Sequence, residues 1–361
     1  MDLAKYDHKY IRLKDIYGNT FVGIASYGVE EFLECEYGGK EDGLFIEDCL
    51  IYNTQVESIE EIEPHGTAEI WTENLVLRRY RPDDAEQLFL YMGANPDMYK
   101  YSGWNPYATP EMAQETVRRF IDSYDDDHTY SWVMDIDDVV VGTIGAYDYE
   151  DGRIEVGFSV VPGWQGRGLA TEALKKVLEY LTINEDISCV TAWCASENTA
   201  SRRALEKAGM KLVRTEQDGL TACGSTYDKL FYEYNWGLMF SEFEFNGEPD
   251  TVITEVGGLE LPRDYLTFMK KHDGGEGPLG ENNYGRFYKL EELEEINKEY
   301  DVRNSWPGYV VLGGIDDALW AYNPDKKIFC QIDSCNTDDD TYYTISDSFA
   351  SFLINMDKEL E

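Results

Sequence analysis

The chain has 361 residues, of which 43% are hydrophobic and 14% aromatic, so it is long enough for two or three domains that each bury a core. Its 71 Asp and Glu against 31 Lys and Arg give a formal charge of −40, which argues against general nucleic-acid binding because such binding needs basic patches. The charge favours solubility and attraction of cationic substrates or partners, and an acidic surface without a specific partner fits it equally well.

Cysteine usage and hydropathy predict a cytoplasmic protein. The seven cysteines, an odd number without a Cys-x-x-Cys pair, fit reduced thiols. No apolar run approaches the length that spans a bilayer, and the N-terminus lacks the apolar core of a signal peptide. Cys330 and Cys335 are close in sequence, but the four scattered histidines complete no zinc set, so no metal site is predicted.

The first segment, residues 1–65, has the pattern of a small β-structure. Five short strands at hairpin spacing are predicted over 10–15, 20–25, 32–37, 43–46 and 56–62. A Gly-Asn turn at 18–19, a Phe-Val-Gly run on the second strand and an Ile-rich last strand resemble an Sm/LSM-like barrel. Such barrels often bind RNA, but the local excess of acidic residues disfavours this. A protein-contact or architectural module is the preferred interpretation.

The middle segment, residues 66–237, opens with a strand at 75–80 and a helix introduced by Asp83 and Asp84. A second helix and a hairpin follow. Alternating apolar residues then predict a strand over 153–160 with one buried face, and apolar residues at helical spacing predict a helix from Leu169 to Leu181. A Pro-Gly-Trp turn lies between the two elements.

A short glycine-rich loop joins this strand to this helix. Gly166 and Gly168 flank Arg167, and a loop without Cβ atoms can turn its backbone N–H groups inward. Together with the unpaired N–H groups of the first helical turn and the charge of Arg167, it can form an anion-binding nest. Two glycines alone are weak evidence, since a tight strand-to-helix connection has the same pattern.

The complete string is more specific. Gln165-Gly166-Arg167-Gly168-Leu169-Ala170 matches the Q/R-x-x-G-x-G/A acyl-CoA signature, and the segment resembles the GNAT N-acetyltransferase superfamily. The flanking Glu-Val-Gly-Phe and Thr-Glu-Ala-Leu runs are similar to the branch that acetylates ribosomal-protein N-termini. The resemblance implies a mixed central sheet flanked by helices, with acetyl-CoA as co-substrate. It places the pyrophosphate on Gln165, Gly166, Arg167, Gly168, Leu169 and Ala170, and the pantetheine arm along Phe158, Ser159 and Val160.

Three further positions bear on the site. Asn198 and Ser201 match the family's N-x-x-S element, which implies cofactor contact, whereas locally Asn198 is expected to cap a helix. Glu155 is the carboxylate best placed by sequence to deprotonate the amine, directly or through water, although it alternates with apolar residues and could simply face solvent.

The general acid has no clear candidate in the sequence. Leu205 occupies the position of a tyrosine that protonates the leaving thiolate in many superfamily members. The ribosomal-protein branch commonly has leucine there, so activity is not excluded. Tyr232 and Tyr234 are the alternatives, and nothing in the sequence supports either.

The last segment, residues 245–361, predicts an α+β module. A helix around 261–269 ends in Lys-Lys-His-Asp-Gly-Gly, strands follow over 310–314, 317–322 and 328–333, and a final helix begins near residue 347. The order of these motifs resembles the SUKH superfamily, many of whose bacterial members are immunity proteins that neutralise toxins. The resemblance implies a protein partner, and an acidic binding face would suit a basic toxin.

The sequence therefore predicts a multidomain α/β and α+β protein: a small all-β Sm-like barrel, a GNAT fold and a SUKH domain, with linkers near 64–73 and 237–250. The predicted function is acetyl transfer from acetyl-CoA to a primary amine, on a protein N-terminus or a small amine, beside a partner-binding module. The alternative is a non-enzymatic immunity or interaction protein that binds a bacterial toxin through the SUKH domain. RNA binding by the first segment is a weaker third hypothesis.

Overall fold

The computed structural model describes residues 1–46, 49–103, 105–280, 283–315, 318–335 and 342–358, of which 357 and 358 are described by backbone alone. The chain divides into two compact units. The first comprises residues 1–94 and 106–145, and the second comprises residues 95–105 and 146–361. The predicted boundaries of the three domains stay a prediction.

A five-stranded antiparallel sheet begins the first unit. Its strands are β1 (Tyr10–Asp15), β2 (Thr20–Gly28), β3 (Gly43–Ile46), β4 (Cys49–Tyr52) and β5 (Val56–Glu61), in the order β4-β3-β2-β1-β5. One face buries Leu3, Ile11, Leu13, Ala25, Leu44, Ile46 and Ile51. The Sm/LSM-like resemblance of this segment stays a prediction.

The predicted strand over 32–37 is wrong, because a helix, α1 (Glu30–Tyr37), occupies these residues. Glu30 and Glu31 lie in its first turn, where the helix dipole favours negative charge. Gly38 ends the helix in the left-handed conformation. Apolar and acidic side chains alternate over residues 33–37, which is also the pattern of a strand. The glycine after Tyr37 was the local signal that a helix ends there. Strand β4 was not predicted.

The remainder of the first unit is a sheet with two helices. Its elements are β6 (Ile70–Trp71), β7 (Val76–Arg78), α2 (Asp84–Leu88), α3 (Pro110–Asp122), β8 (Tyr130–Ile136) and β9 (Val139–Glu150), with strand order β9-β8-β7-β6. Residues 139–145 of β9 belong to this unit. The predicted linker at 64–73 is part of this fold, since Ala68 is buried and its carbonyl accepts a hydrogen bond from the Trp132 indole at 2.7 Å.

A buried ion cluster connects β7, α2 and β8. The Arg78 guanidinium is 8% exposed and makes two hydrogen bonds to Asp84, of 2.8 and 2.9 Å, and one of 2.9 Å to Asp135. Burial by itself lowers the pKa of Arg78, but the bonds and charges of Asp84 and Asp135 outweigh it, so that the pKa is raised. Each charge in this cluster is therefore compensated only while the others are present.

Replacing Arg78 by Met is expected to reduce the free energy of unfolding by about 3–5 kcal/mol, because it leaves two buried carboxylates without their cation. Urea unfolding followed by tryptophan fluorescence measures this. Arg81→Met is the matched control, since its pair with the largely exposed Asp138 at 3.3 Å is of the kind that contributes about 0–1 kcal/mol. Equal losses in the two variants would contradict the special role of the buried cluster.

The second unit begins with a mixed sheet packed against helices. It contains the end of β9 with β10 (Arg153–Val160), α4 (Leu169–Ile183), β11 (Cys189–Ala195), α5 (Thr199–Lys207), β12 (Lys211–Ala222), β13 (Ser225–Asn235) and α6 (Trp236–Met239). The strand order is β12-β13-β11-β10-β9, with β10 and β11 parallel and β11 and β13 antiparallel. The prediction of a mixed sheet flanked by helices is confirmed. Strand β12 was not predicted.

A second sheet completes this unit. The elements are β14 (Glu244–Phe245), β15 (Glu255–Val256), β16 (Leu259–Glu260), α7 (Arg263–His272), β17 (Gly275–Leu279), β18 (Asn283–Phe287), α8 (Leu293–Glu299), α9 (Val302–Ser305), β19 (Val310–Ile315), β20 (Ala318–Asn323), β21 (Ile328–Asp333), β22 (Tyr342–Ser346) and α10 (Phe349–Lys358). The sheet order is β14-β17-β18-β19-β20-β21-β22.

These elements bear out the α+β prediction for the last segment, although strands β15 to β18 and β22 and helices α8 and α9 were not predicted. The predicted linker at 237–250 contains β14, which pairs with β17, and most of α6, so these residues belong to the fold. Asp317, predicted at the start of a strand, lies outside the described residues. Within the described ranges, no helix is both long and apolar enough to cross a membrane.

Candidate functional site

Strands β10 and β11 are paired at one end and separate at the other. Their parallel register joins Arg153 to Cys189, Ile154 to Val190 and Glu155 to Thr191, and no later pair is described. Strand β11 meanwhile stays paired with β13 along its whole length. The edge of β10 from residue 156 to residue 160 therefore presents backbone groups that a ligand can pair with, apart from the Val160 carbonyl, which accepts a bond from the Gln165 side chain. Such groups require a partner when buried. The predicted arm-binding residues Phe158, Ser159 and Val160 lie on this edge and are partly buried.

The glycine loop follows at the far end of β10. Gly166 and Gly168 have φ values of +77° and +88°, which L side chains rarely adopt, and a Cβ at either would meet no atom within 4 Å. Conformation rather than crowding thus requires glycine here. In the described part of the chain, the backbone N–H groups from Gly166 to Ala170 donate to no backbone carbonyl. The loop is an exposed turn at the N-terminus of a 15-residue helix.

Side chains of the loop contact the protein around it. The Gln165 amide donates to the carbonyl of Val160 at 2.9 Å, which ties the loop to the end of β10. The Arg167 guanidinium donates to the carbonyl of Gly163 at 3.2 Å and lies 4.5 Å from the centre of the Trp164 ring. Arg167 therefore stands at the edge of the loop, stacked on an aromatic ring that limits its motion.

Asn198 caps helix α5, as its local pattern predicted. Its side-chain oxygen accepts a hydrogen bond of 3.2 Å from the backbone N–H of Ser201. Both residues are partly buried. Their contact with a cofactor stays a prediction.

Glu155 lies at the point where the two strands separate, and it does not simply face solvent. Its carboxylate is partly buried and accepts a 3.0 Å hydrogen bond from the Trp193 indole and another from the Tyr147 hydroxyl. The Lys229 ammonium lies 4.2 Å from the centre of the Trp193 ring. The amine-deprotonating role that the sequence suggested stays a prediction, and the carboxylate has the hydrogen bonds that would hold it in place.

Burial raises the pKa of Glu155 above its ordinary value. The hydrogen bonds from Trp193 and Tyr147 and the positive charge of Lys229 oppose the rise, and the negative charge of Asp148 adds to it. The result is a carboxylate that is more basic than one in water. A pKa raised by burial beside specific charged neighbours is more frequent at functional sites than elsewhere.

The sequence did not identify Tyr147, Trp193 or Lys229 as part of this site. None of them lies in a motif. The register of the strands is the signal that could have identified Trp193. Thr191 is the partner of Glu155, and Trp193 follows Thr191 by two residues, so its side chain points to the same face of the sheet.

The two alternative tyrosines are on the other face of the sheet from Glu155. Side chains alternate between the two faces along β13, so Tyr232 and Tyr234 point away from the face of Lys229, which contacts Trp193. Both tyrosines are buried. The Tyr232 hydroxyl donates to Glu206 on α5 at 3.2 Å. Both hydroxyls therefore lie on the opposite side of the sheet from the Glu155 carboxylate. Leu205 is buried too.

Comparison with known families agrees with this geometry. Residues 74–211 match the model of the acetyltransferase (GNAT) domain, and residues 252–355 match the model of the SMI1/KNR4 family (SUKH-1). The chain joins a GNAT acetyltransferase domain to a SUKH-1 domain. The strand edge, the glycine loop, Glu155 and Asn198 all lie inside the residues that match the GNAT model.

The GNAT domain of this chain is similar to several known proteins. The uncharacterized N-acetyltransferase p20 of Bacillus licheniformis is 29% identical over 140 residues, covering 38% of this chain and 78% of that protein. The putative ribosomal N-acetyltransferase YdaF of Bacillus subtilis (strain 168) is 24% identical over 167 residues, covering 44% and 90%. A GNAT-family acetyltransferase structure from Bacillus anthracis has a TM-score of 0.42 at 23% identity, covering 46% of this chain and 98% of that one. That score is too low to support a conclusion.

Among the described residues, no group of three or more His, Cys, Asp or Glu side chains is arranged to hold a metal ion. The described cysteines are all free thiols.

Replacing Trp193 by Phe is expected to raise the pKa of Glu155. The indole N–H stabilises the ionised carboxylate, and its loss leaves the effect of burial less opposed. The pKa is measured from the carboxyl carbon shift in a titration followed by NMR. Trp164→Phe, which changes a ring stacked on Arg167 instead, should leave it unchanged. An unchanged or lowered pKa in the Trp193 variant would contradict this account.

Proposed function

We propose that the GNAT domain transfers an acetyl group from acetyl-CoA to a primary amine. The observation that carries this proposal is the separation of β10 from β11 between an anion-binding loop and a basic carboxylate. One end of an extended donor can be held at the loop, its middle can pair with the free edge of β10, and its reactive end then lies beside Glu155.

The dimensions and chemistry of the site suit acetyl-CoA. Loop N–H groups from Gly166 to Ala170, at a helix N-terminus, suit the pyrophosphate. From Val160 to Glu155 the strand advances by about 16 Å. The amides of a pantetheine arm can hydrogen-bond the free strand edge along this distance, as an added strand would. Phe158, Ser159 and Val160 would contact the arm, and Asn198 and Ser201 would contact the cofactor from the start of α5.

Glu155 supplies the base. A neutral amine attacks the thioester carbonyl, and Glu155 accepts the proton that the nitrogen must lose, directly or through a water molecule. Backbone N–H groups at the free edge of β10 are the donors available to the oxygen that becomes negative. Holding donor and acceptor in line supplies much of the rate, so the protein requires few reactive side chains.

The acceptor is a primary amine, on a protein N-terminus or on a small molecule. The printed name of the Bacillus subtilis relative, a putative ribosomal N-acetyltransferase, supports a protein acceptor. The formal charge of −40 supports an acceptor that carries positive charge, because an acidic surface concentrates cations near the site.

The SUKH-1 domain is proposed to bind a protein partner. Acidic residues outnumber basic ones in this part of the chain, so a basic protein, such as a toxin, suits it by charge. Such a domain can also bring a protein substrate to the GNAT domain. The GNAT match and the N-acetyltransferase relatives support the enzymatic interpretation over a purely non-enzymatic immunity protein.

Gly168→Asp is expected to abolish micromolar binding of acetyl-CoA, which isothermal titration calorimetry measures. Aspartate would strain the loop at φ +88° and place negative charge against the pyrophosphate. Gly18→Asp is the matched control: its φ is +89°, it too has no atom within 4 Å of a Cβ, and it lies in the turn between β1 and β2. No binding by the folded wild-type protein would refute the enzymatic proposal.

Glu155→Gln should lower kcat by about 10²–10⁴-fold, the range typical of a general base, with unchanged affinity for acetyl-CoA. In the wild type, kcat/KM should rise with pH through the raised pKa of Glu155, because only the ionised carboxylate accepts a proton. The variant should lose this dependence. Measuring CoA release at varied pH with spermidine and with an unblocked Ala-Lys-Ala-Lys peptide provides the test, and a variant that keeps both rate and profile would assign the base elsewhere.

A further inference from the structure

Acetyl transfer leaves a thiolate that needs a proton, and neither Leu205 nor the two alternative tyrosines can supply it. Leu205 has no proton to give, and Tyr232 and Tyr234 are buried on the opposite face of the sheet from Glu155. The proton donor must lie on the same face of the sheet as Glu155, near the point where β10 separates from β11.

Tyr147 lies on the Glu155 face of the sheet and close to the point where β10 separates from β11. It lies near the end of β9, in the same compact unit as β10, and its side chain is 40% exposed, so that a ligand can reach it. Its hydroxyl hydrogen-bonds the Glu155 carboxylate.

The hydroxyl also lies over β10. A Cβ at residue 157 would be 2.6 Å from the Tyr147 oxygen, so glycine at this position is what allows the tyrosine to approach the strand. Residue 157 belongs to the stretch of β10 that is free of β11. A thioester that reaches Glu155 along this edge passes the Tyr147 hydroxyl.

We propose that Tyr147 is the general acid of the acetyl transfer, acting in a proton relay with Glu155. This inference rests on the proposed function.

In the forward reaction a neutral amine forms a bond to the acetyl carbon, the carbonyl electron pair moves to oxygen, and Glu155 takes the proton from nitrogen. When the carbonyl re-forms, the carbon–sulfur bond breaks and its electron pair stays on sulfur, which takes the Tyr147 proton. The phenolate then recovers a proton from the Glu155 carboxyl group. The products are the acetylated amine and CoA thiol, and both side chains return to their starting states.

The charges around Tyr147 agree with this order of events. Burial, together with the negative charges of Glu155 and Asp148 and the bond to Glu155, raises the pKa of Tyr147 to about 12. This keeps the hydroxyl protonated before reaction. Once Glu155 has accepted the amine proton, its negative charge is gone and the hydroxyl becomes a stronger acid at the step that needs one.

Tyr147→Phe is the first test, with Tyr149→Phe as control, because Tyr149 is on the same strand and has nearly the same exposure, 41%. The Tyr147 variant should lose about 10²-fold or more in kcat with either acceptor probe, while calorimetry shows unchanged acetyl-CoA affinity. The control should keep its kcat within about twofold, the ordinary scale of a surface change. A Tyr147 variant with wild-type kcat would overturn the proposal.

A second measurement separates acid catalysis from a role in merely holding Glu155. Fluorinated tyrosines of increasing acidity at position 147 keep the hydroxyl and its bond to Glu155. If Tyr147 gives up its proton, the alkaline limb of the kcat profile should move to lower pH in step with the acidity of the ring. A limb that does not move would reject the acid role even if Tyr147→Phe is slow.

The experiments distinguish failure of the Tyr147–Glu155 proton relay from failure of the proposed acetyltransferase function. A wild-type protein that binds acetyl-CoA and acetylates a probe, with unaffected Tyr147 variants, would reject only the relay. A wild-type protein that fails to bind acetyl-CoA would reject the enzymatic proposal itself. Gly157→Ala provides an independent check, since the added methyl displaces the hydroxyl; it should lower kcat without a change at position 147.

Discussion

The separation of β10 from β11 after Glu155 is the constraint on which the site depends. Two parallel strands that part must leave backbone N–H and C=O groups without their usual partners, and such groups are costly to bury unless something else bonds to them. Strand β11 stays paired with β13, and β10 stays next to β9 in the sheet, so the sheet opens between β10 and β11. The opening between the two strands is a slot that runs from Glu155, at its closed end, to the glycine loop, at its open end.

The two ends of the slot differ in charge. At the open end, helix α4 presents unpaired N–H groups and Arg167, which favour an anion. At the closed end, Glu155 and Asp148 favour a cation, and aromatic rings from Tyr147 and Trp193 reduce the contact of Glu155 with water. The two ends therefore favour ligand groups of opposite charge.

Helix α4 also connects the site to the C-terminal domain. Its first residues form the loop, whereas Lys176 and Glu179, an ion pair of 3.2 Å, lie farther along against Asp264. Burial raises the pKa of Glu179 to about 7 and also raises that of Asp264, which accepts backbone hydrogen bonds at the starts of α7 and α10. At the other end of α4, the Lys271 ammonium donates to the carbonyl of Ile183 at 3.0 Å. The SUKH-1 domain thus packs on the helix that begins at the loop.

Local pattern determined much of this protein. The glycines of the loop, the cap at Asn198, the apolar faces of the helices and the alternation of β10 are all properties of short stretches, since each follows from one or a few neighbouring residues. The family resemblances rested on the same local strings. Local pattern failed at 32–37, where a helix has the alternation of a strand, and at 237–250, where a short strand joins a distant one.

Tertiary structure decided the rest, because the contacts join residues far apart in the chain. Tyr147, Glu155, Trp193 and Lys229 come from four strands, and only the register of the sheet brings them together. The register also places Tyr232 and Tyr234 on the face of the sheet opposite Glu155, which no sequence motif reveals. The sequence singled out Glu155 as the candidate base, whereas the raised pKa of this carboxylate and the Tyr147 hydroxyl beside it depend on the folded chain.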